Sequence, residues 1–171
     1  MFKAVVFALL AGNTAYFAWI GATSKAIDAA AWLALLTLFV AETRLAGRLH
    51  DRGRLALRAA RLAAGAAVVG ATLRYVFDES VLDTVNSLVW IAIVVLLEMQ
   101  FRYPQVVARS RTIFTVTALA LYGALGVLVV MWGVRAEWFD AYDALVWLVA
   151  FATIELDVIG ADTARQRTKP G

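Results

Sequence analysis

Seven carboxylates fall at positions where a mostly apolar chain should not carry charge without a reason. Glu42, Glu98 and Glu155 each lie late in a long apolar run, 56 and 57 residues apart. The same runs open on Asp28, on Asp83, and on the pair Asp140 and Asp143. Between Asp28 and Glu42 there are 13 uncharged residues, between Asp83 and Glu98 there are 14, and between Asp143 and Glu155 there are 11. At about 1.5 Å per residue these stretches cover roughly 17–21 Å, short of the roughly 30 Å hydrocarbon core of a bilayer, so one acid of each pair must enter the membrane thickness. The aspartates begin helices, where the positive end of the macrodipole favours an anion, which leaves the glutamates as the intruders. Acids at such depth face the protein interior or water and mark ion pathways, and three in close approach would hold a proton or recruit a cation. The spacing therefore nominates Glu42, Glu98 and Glu155 as ion-pathway residues, with Asp28, Asp83, Asp140 and Asp143 as an acidic mouth at the opposite end.

A plainer reading competes for two of the glutamates. Glu98 has Arg102 one turn later and Glu42 has Arg44 and Arg48 close by, so both could snorkel into a basic rim. Glu155 has no such neighbour: its next basic residue is Arg165, and Asp157 adds a second acid. Trp32, Trp90 and Trp147 lie one to two turns beyond the aspartates, with Trp19, Trp132 and Trp138 towards the same side. An interfacial aromatic belt is the ordinary explanation and a ligand-lining ring the minority one. Asn13, in mid-span, reads as an interhelical hydrogen bonder.

The elements that must position these residues are helices in a membrane. The 171 residues are 63% hydrophobic and 17% charged, with the charges gathered between long apolar runs, and a soluble domain of this size could not bury so much apolar surface. Six runs are long enough to span: about 4–22, 28–46, 60–77, 83–102, 112–134 and 143–161. The first could pass for a signal peptide, but its 21 uncharged residues after Lys3 suffice for a retained span. The pattern of acid, tryptophan and glutamate is written three times, and the Leu-Val-Trp triplet at 88–90 returns at 145–147. A repeat of that length predicts an all-α membrane protein of six transmembrane helices. They form one transmembrane domain, 1–171, of three tandem hairpins (about 1–56, 57–112 and 113–171) sharing one orientation around a pseudo-threefold axis.

Thirteen Lys and Arg residues fall on the side of the termini and long linkers, against Lys25, Arg74 and Arg135 on the other. This places both termini in the cytoplasm of an integral protein, of bacterial inner-membrane type. The 44–61 cluster reads as a topology-setting loop, with contact to anionic lipid as the alternative.

With no cysteine, thiol nucleophiles and thiolate metal sites are excluded, and the lone histidine, His50, excludes a bis-histidine haem. There is no Gly-rich phosphate loop, serine elbow, arginine ladder or potassium-filter sequence. No cofactor, metal, enzymatic activity or nucleic-acid partner is expected. The partners are the bilayer, a proton or small cation, and either a second copy of the chain or another membrane protein. The leading expectation is a small transport protein, channel or carrier, for protons or small cations. The alternative is a non-catalytic membrane subunit or assembly protein whose acids are structural.

Overall fold

The computed structural model describes residues 2–45, 50–78 and 80–167, with the backbone alone described at 2–3, 43–45, 101 and 154–167. Seven helices and no strand occur among them: α1 (Phe2–Trp19), α2 (Thr23–Leu45), α3 (Asp51–Phe77), α4 (Val81–Arg102), α5 (Pro104–Arg109), α6 (Arg111–Val134) and α7 (Trp138–Arg167). Four helices are long and apolar enough to cross a membrane, through Thr23–Glu42, Asp51–Phe77, Val81–Gln100 and Arg111–Val134, and α1 adds a shorter apolar stretch, Ala4–Trp19. Their outward faces are themselves apolar, with Leu62, Phe77, Ile113, Leu119 and Val134 largely exposed. This is the make-up of an integral membrane protein, in which lipid covers what water could not.

The six long helices close into a ring in chain order. α1 packs on α2, α2 on α3, α3 on α4, α4 on α6, α6 on α7, and α7 returns to α1. The buried residues explain the closure. On α1 they are Val6, Leu10, Asn13 and Phe17, and on α3 they include Ala64, Val68, Ala71 and Tyr75; on α6 they are Leu125, Leu128 and Trp132, with Leu121 partly buried. Each set follows the 4, 3, 4 spacing of a single helix stripe, so one narrow face points inward and the rest is left for lipid. Trp32 on α2, Trp90 on α4 and Trp147 on α7 meet at the centre, with ring centroids 6.5 Å apart for both the Trp32–Trp90 and the Trp90–Trp147 pair. Phe151 fills in beside Trp90 at 4.6 Å.

Three short turns end α1, α3 and α6, and they are built alike. The N–H of Ala22 bonds the carbonyl of Phe17, that of Ser80 bonds Tyr75, and that of Glu137 bonds Trp132, at 3.0, 3.0 and 2.9 Å. This is the six-to-one bond of a Schellman cap, and in the first and third turns a left-handed residue stands just before the donor. Gly21 supplies it with φ 77°, the conformation glycine adopts without steric cost. Ala136 supplies it with φ 61°.

The structure departs from the sequence expectation at three boundaries. α3 begins at Asp51 rather than near residue 60, because Leu55, Ala56, Leu57, Ala59 and Ala60 are strong helix formers and carry the helix through the basic cluster. α5 fills the expected loop after Tyr103, with Pro104 pre-set for the first helical turn. α7 continues to Arg167, through the start of what reads as a polar tail.

Candidate functional site

Where the three turns gather, the ring encloses a half-open cavity of about 50 Å3, lined by Lys25, Asp28, Asp83, Asn86, Asp140 and Asp143 and walled by aromatic side chains. All four aspartates of the expected mouth are thus brought to one place. They are reached by counting back from the central tryptophans. Seven residues before Trp32, Trp90 and Trp147 stand Lys25, Asp83 and Asp140; four residues before them stand Asp28, Asn86 and Asp143. Positions four and seven apart share a helix face, so each helix presents a polar residue, a second polar residue and an indole in descending order.

The upper tier is closed on itself by Lys25. Its Nζ lies 2.6 Å from Asp140 Oδ1 and 3.6 Å from Asp83 Oδ1, so one ammonium from α2 bridges carboxylates of α4 and α7. Ser80 donates to Asp83 Oδ2 at 2.5 Å and fixes that carboxylate at the helix start. The lower tier is held from the flanking helices. The Tyr75 hydroxyl on α3 donates to Asp28 Oδ2 at 3.2 Å, and the Asn13 amide on α1 donates to Asp143 Oδ1 at 2.7 Å. Asp28 is only 9% exposed, and its Oδ1 has no hydrogen-bond partner. The Trp32 indole, one turn along, approaches this carboxylate without meeting hydrogen-bond geometry. Asn86 Oδ1 is likewise buried and unpartnered. Leaving such acceptors unpaired costs free energy of order 1–3 kcal/mol each.

Beneath the two tiers lies the indole layer. Trp32, Trp90, Trp132 and Trp147 are buried at 7, 5, 3 and 7% exposure, so these four form the cavity wall and floor rather than an interfacial belt. Trp19 and Trp138 are exposed, at 83 and 70%, as belt residues would be. The difference arises because the tryptophan stripe coincides with the inward stripe of α2, α4 and α7.

At the opposite end of the ring, Glu42 and Glu98 come together through Arg61 of α3. Arg61 Nη1 pairs with Glu42 Oε2, its Nη2 lies 3.2 Å from Glu98 Oε2, and Arg102 Nε donates to Glu98 Oε1 at 2.5 Å. Glu98 therefore does have the one-turn arginine partner, while Glu42 is met by an arginine 19 residues further along the chain. Glu155 lies on α7, and its side chain is outside the described residues, as are those of Arg44, Arg48 and Asp157.

Sequence reasoning missed Lys25, Asn86 and Tyr75. Lys25 counted only as a topology charge and Asn86 as part of an apolar run. The signal was present: Lys or Asp, two residues, Asp or Asn, three residues, Trp, three times over. It was obscured because aligning the chain on its acids pairs Asp28 with Asp83, whereas aligning it on the tryptophans pairs Asp28 with Asn86 and Asp143.

Compared with protein-family models, curated proteins and solved structures, the chain matches none. What its site can do rests on its own chemistry. Four carboxylates and one ammonium give the cavity a negative balance, and indole rings wall it.

Proposed function

We propose that the chain is a small membrane transport protein, channel or carrier, for a proton or small cation. In this reading six helices span the bilayer as three tandem, parallel hairpins around a pseudo-threefold axis, both termini are cytoplasmic, and the membrane is a plasma membrane of bacterial inner-membrane type. The observation that carries it is the convergence of Asp28, Asp83, Asp140 and Asp143 on one half-open cavity against a single cation, Lys25. Four acids at the end of a helix ring concentrate cations at its entrance. The repeat is supported by spacing: Trp32, Trp90 and Trp147 follow at 58 and 57 residues, and so do Phe17, Tyr75 and Trp132, which carry the three turn caps.

The acidic cavity is the outward-facing cation entrance, the indole layer its floor, and Glu42, Glu98 and Glu155 the acids of the cytoplasmic half. Arg61, held between Glu42 and Glu98, acts as an ion-paired barrier that must part for passage. The alternative, a non-catalytic membrane subunit or assembly protein, draws its support from the same pairs, since acids neutralised by Arg61, Arg102 and Lys25 also serve as interhelical ties.

Reconstitution into liposomes tests the reading. Imposed proton, ammonium and alkali-cation gradients are expected to drive a flux that Asp28→Asn and Asp143→Asn abolish while thermal unfolding in detergent stays cooperative. An absence of flux under every gradient would leave the subunit reading in its place.

A further inference from the structure

The upper tier of the cavity shows how this ring accepts an ammonium group. Lys25 reaches from its own helix into a triangle whose other two corners, at the same register, are Asp83 and Asp140, and its Nζ is held at 3.6 and 2.6 Å. The lower tier repeats the triangle one turn deeper with Asp28, Asn86 and Asp143 and has no cationic side chain of its own. Two of its acceptors, Asp28 Oδ1 and Asn86 Oδ1, are buried without a hydrogen-bond partner. The outer oxygens of the acids are already occupied by Tyr75 and Asn13, which hold the carboxylates rather than fill the cavity. Below the tier lie the indole rings of Trp32, Trp90 and Trp147.

We propose that this lower tier is a binding site for a small ammonium-type cation, ammonium itself or a short alkylammonium, whose N–H groups are taken by Asp28 Oδ1 and Asn86 Oδ1 and whose body rests on the indole floor. The chemistry favours this guest over an alkali or alkaline-earth ion. A hard metal cation asks for about six or more oxygen ligands in a shell, whereas this site has few free oxygens and aromatic walls. Among the described residues, no group of three or more His, Cys, Asp or Glu is placed to hold a metal. An N–H donor satisfies one orphaned acceptor per hydrogen, and an alkylammonium gains a cation–π contact that a hydrated metal ion does not. A cavity of about 50 Å3 suits a small guest.

The inference rests on the reading of the cavity as a cation entrance, but its test is binding and needs no transport. Purified protein in detergent or nanodiscs is titrated with methylammonium chloride, and separately with sodium and potassium chloride at matched ionic strength, following intrinsic tryptophan fluorescence. The expected result is a saturable change with methylammonium at an affinity about tenfold or more above that for either alkali ion. Asp28→Asn should weaken methylammonium binding by a similar factor. Asn86→Asp, which adds an acid to the same tier, should strengthen it, and this keeps the proposal testable should Asp28→Asn fail to fold. Equal response to sodium or potassium, no saturable response to methylammonium, or an affinity unmoved by Asn86→Asp would overturn the proposal. Methylammonium binding without flux would sustain the site and sink transport; alkali-cation flux without methylammonium binding would do the reverse.

Discussion

Lys25 and Asp140, 115 residues apart in the chain, meet at 2.6 Å and tie the second helix to the last. The side chains are 26 and 19% exposed, between the surface pairs that contribute little and the buried pairs whose breakage is severe. Lys25→Gln should lower stability by about 1–2 kcal/mol, because it leaves Asp83 and Asp140 facing each other. A double-mutant cycle with Asp140→Asn, read from unfolding in detergent, should return part of that loss. Additive losses would mean the two side chains do not interact in solution. The same Lys25→Gln change should tighten cation binding in the cavity, since it removes the competing charge at the entrance.

Arg61 and Arg102 both contact Glu98, yet they should differ sharply. Arg61 is 25% exposed and bridges two carboxylates from different helices, whereas Arg102 is 61% exposed and pairs with Glu98 of its own helix. Arg61→Ala is expected to cost about 2–4 kcal/mol and Arg102→Ala far less. Adding Glu42→Gln to Arg61→Ala should recover stability, because it removes one of the two carboxylates left without a bridge. Equal midpoints for the two arginine variants would show that Arg61 carries no more than a surface pair.

Ala136 occupies a left-handed backbone position that Gly21 fills at the equivalent turn. A β-carbon there costs of order 1 kcal/mol, so Ala136→Gly should stabilise the chain by about 0.5–1 kcal/mol. The residue is exposed, so no packing is lost in exchange. A thermal midpoint that falls would mean the cap is not formed in solution.

Because the chain has no cysteine, single cysteines report topology cleanly. A cysteine at Ser24, next to the acidic cavity, should react with an impermeant thiol reagent from outside the cell, and one at Arg109, at the end of α5, should not. The reverse labelling would invert the assignment of the two ends.

Much of this was legible in the residues. Asp28, Asp83, Asp140 and Asp143 open their runs at the same end of successive hairpins, so their gathering follows from helix length and alternating direction alone. Asn13 as an interhelical bonder also follows, since a mid-span amide in an apolar run has few other partners, and it is found on Asp143. The direction of the tryptophans did not follow. An amphipathic ring near a helix end suits a lipid interface and a cavity floor equally, and only the packing of α2, α4 and α7 around one centre decides between them. Arg61 was hidden for a related reason: it sits in a run of arginines, and only the inward stripe of α3, where it lies in line with Ala64 and Val68, sets it apart.

The ring has one boundary that no peptide bond spans. α1 and α7 touch, but the chain joins every other neighbouring pair by a turn or linker. Across this boundary lie Asn13 on Asp143 at 2.7 Å, Tyr16 on Phe139 at 4.3 Å and Phe17 on Phe139 at 5.1 Å. The molecule is in this sense a split washer, clamped at its gap, among the described residues, by one amide–carboxylate bond and a cluster of rings. Opening the ring at that gap must break the Asn13–Asp143 bond, so one of the cavity's own carboxylates is also part of the clasp.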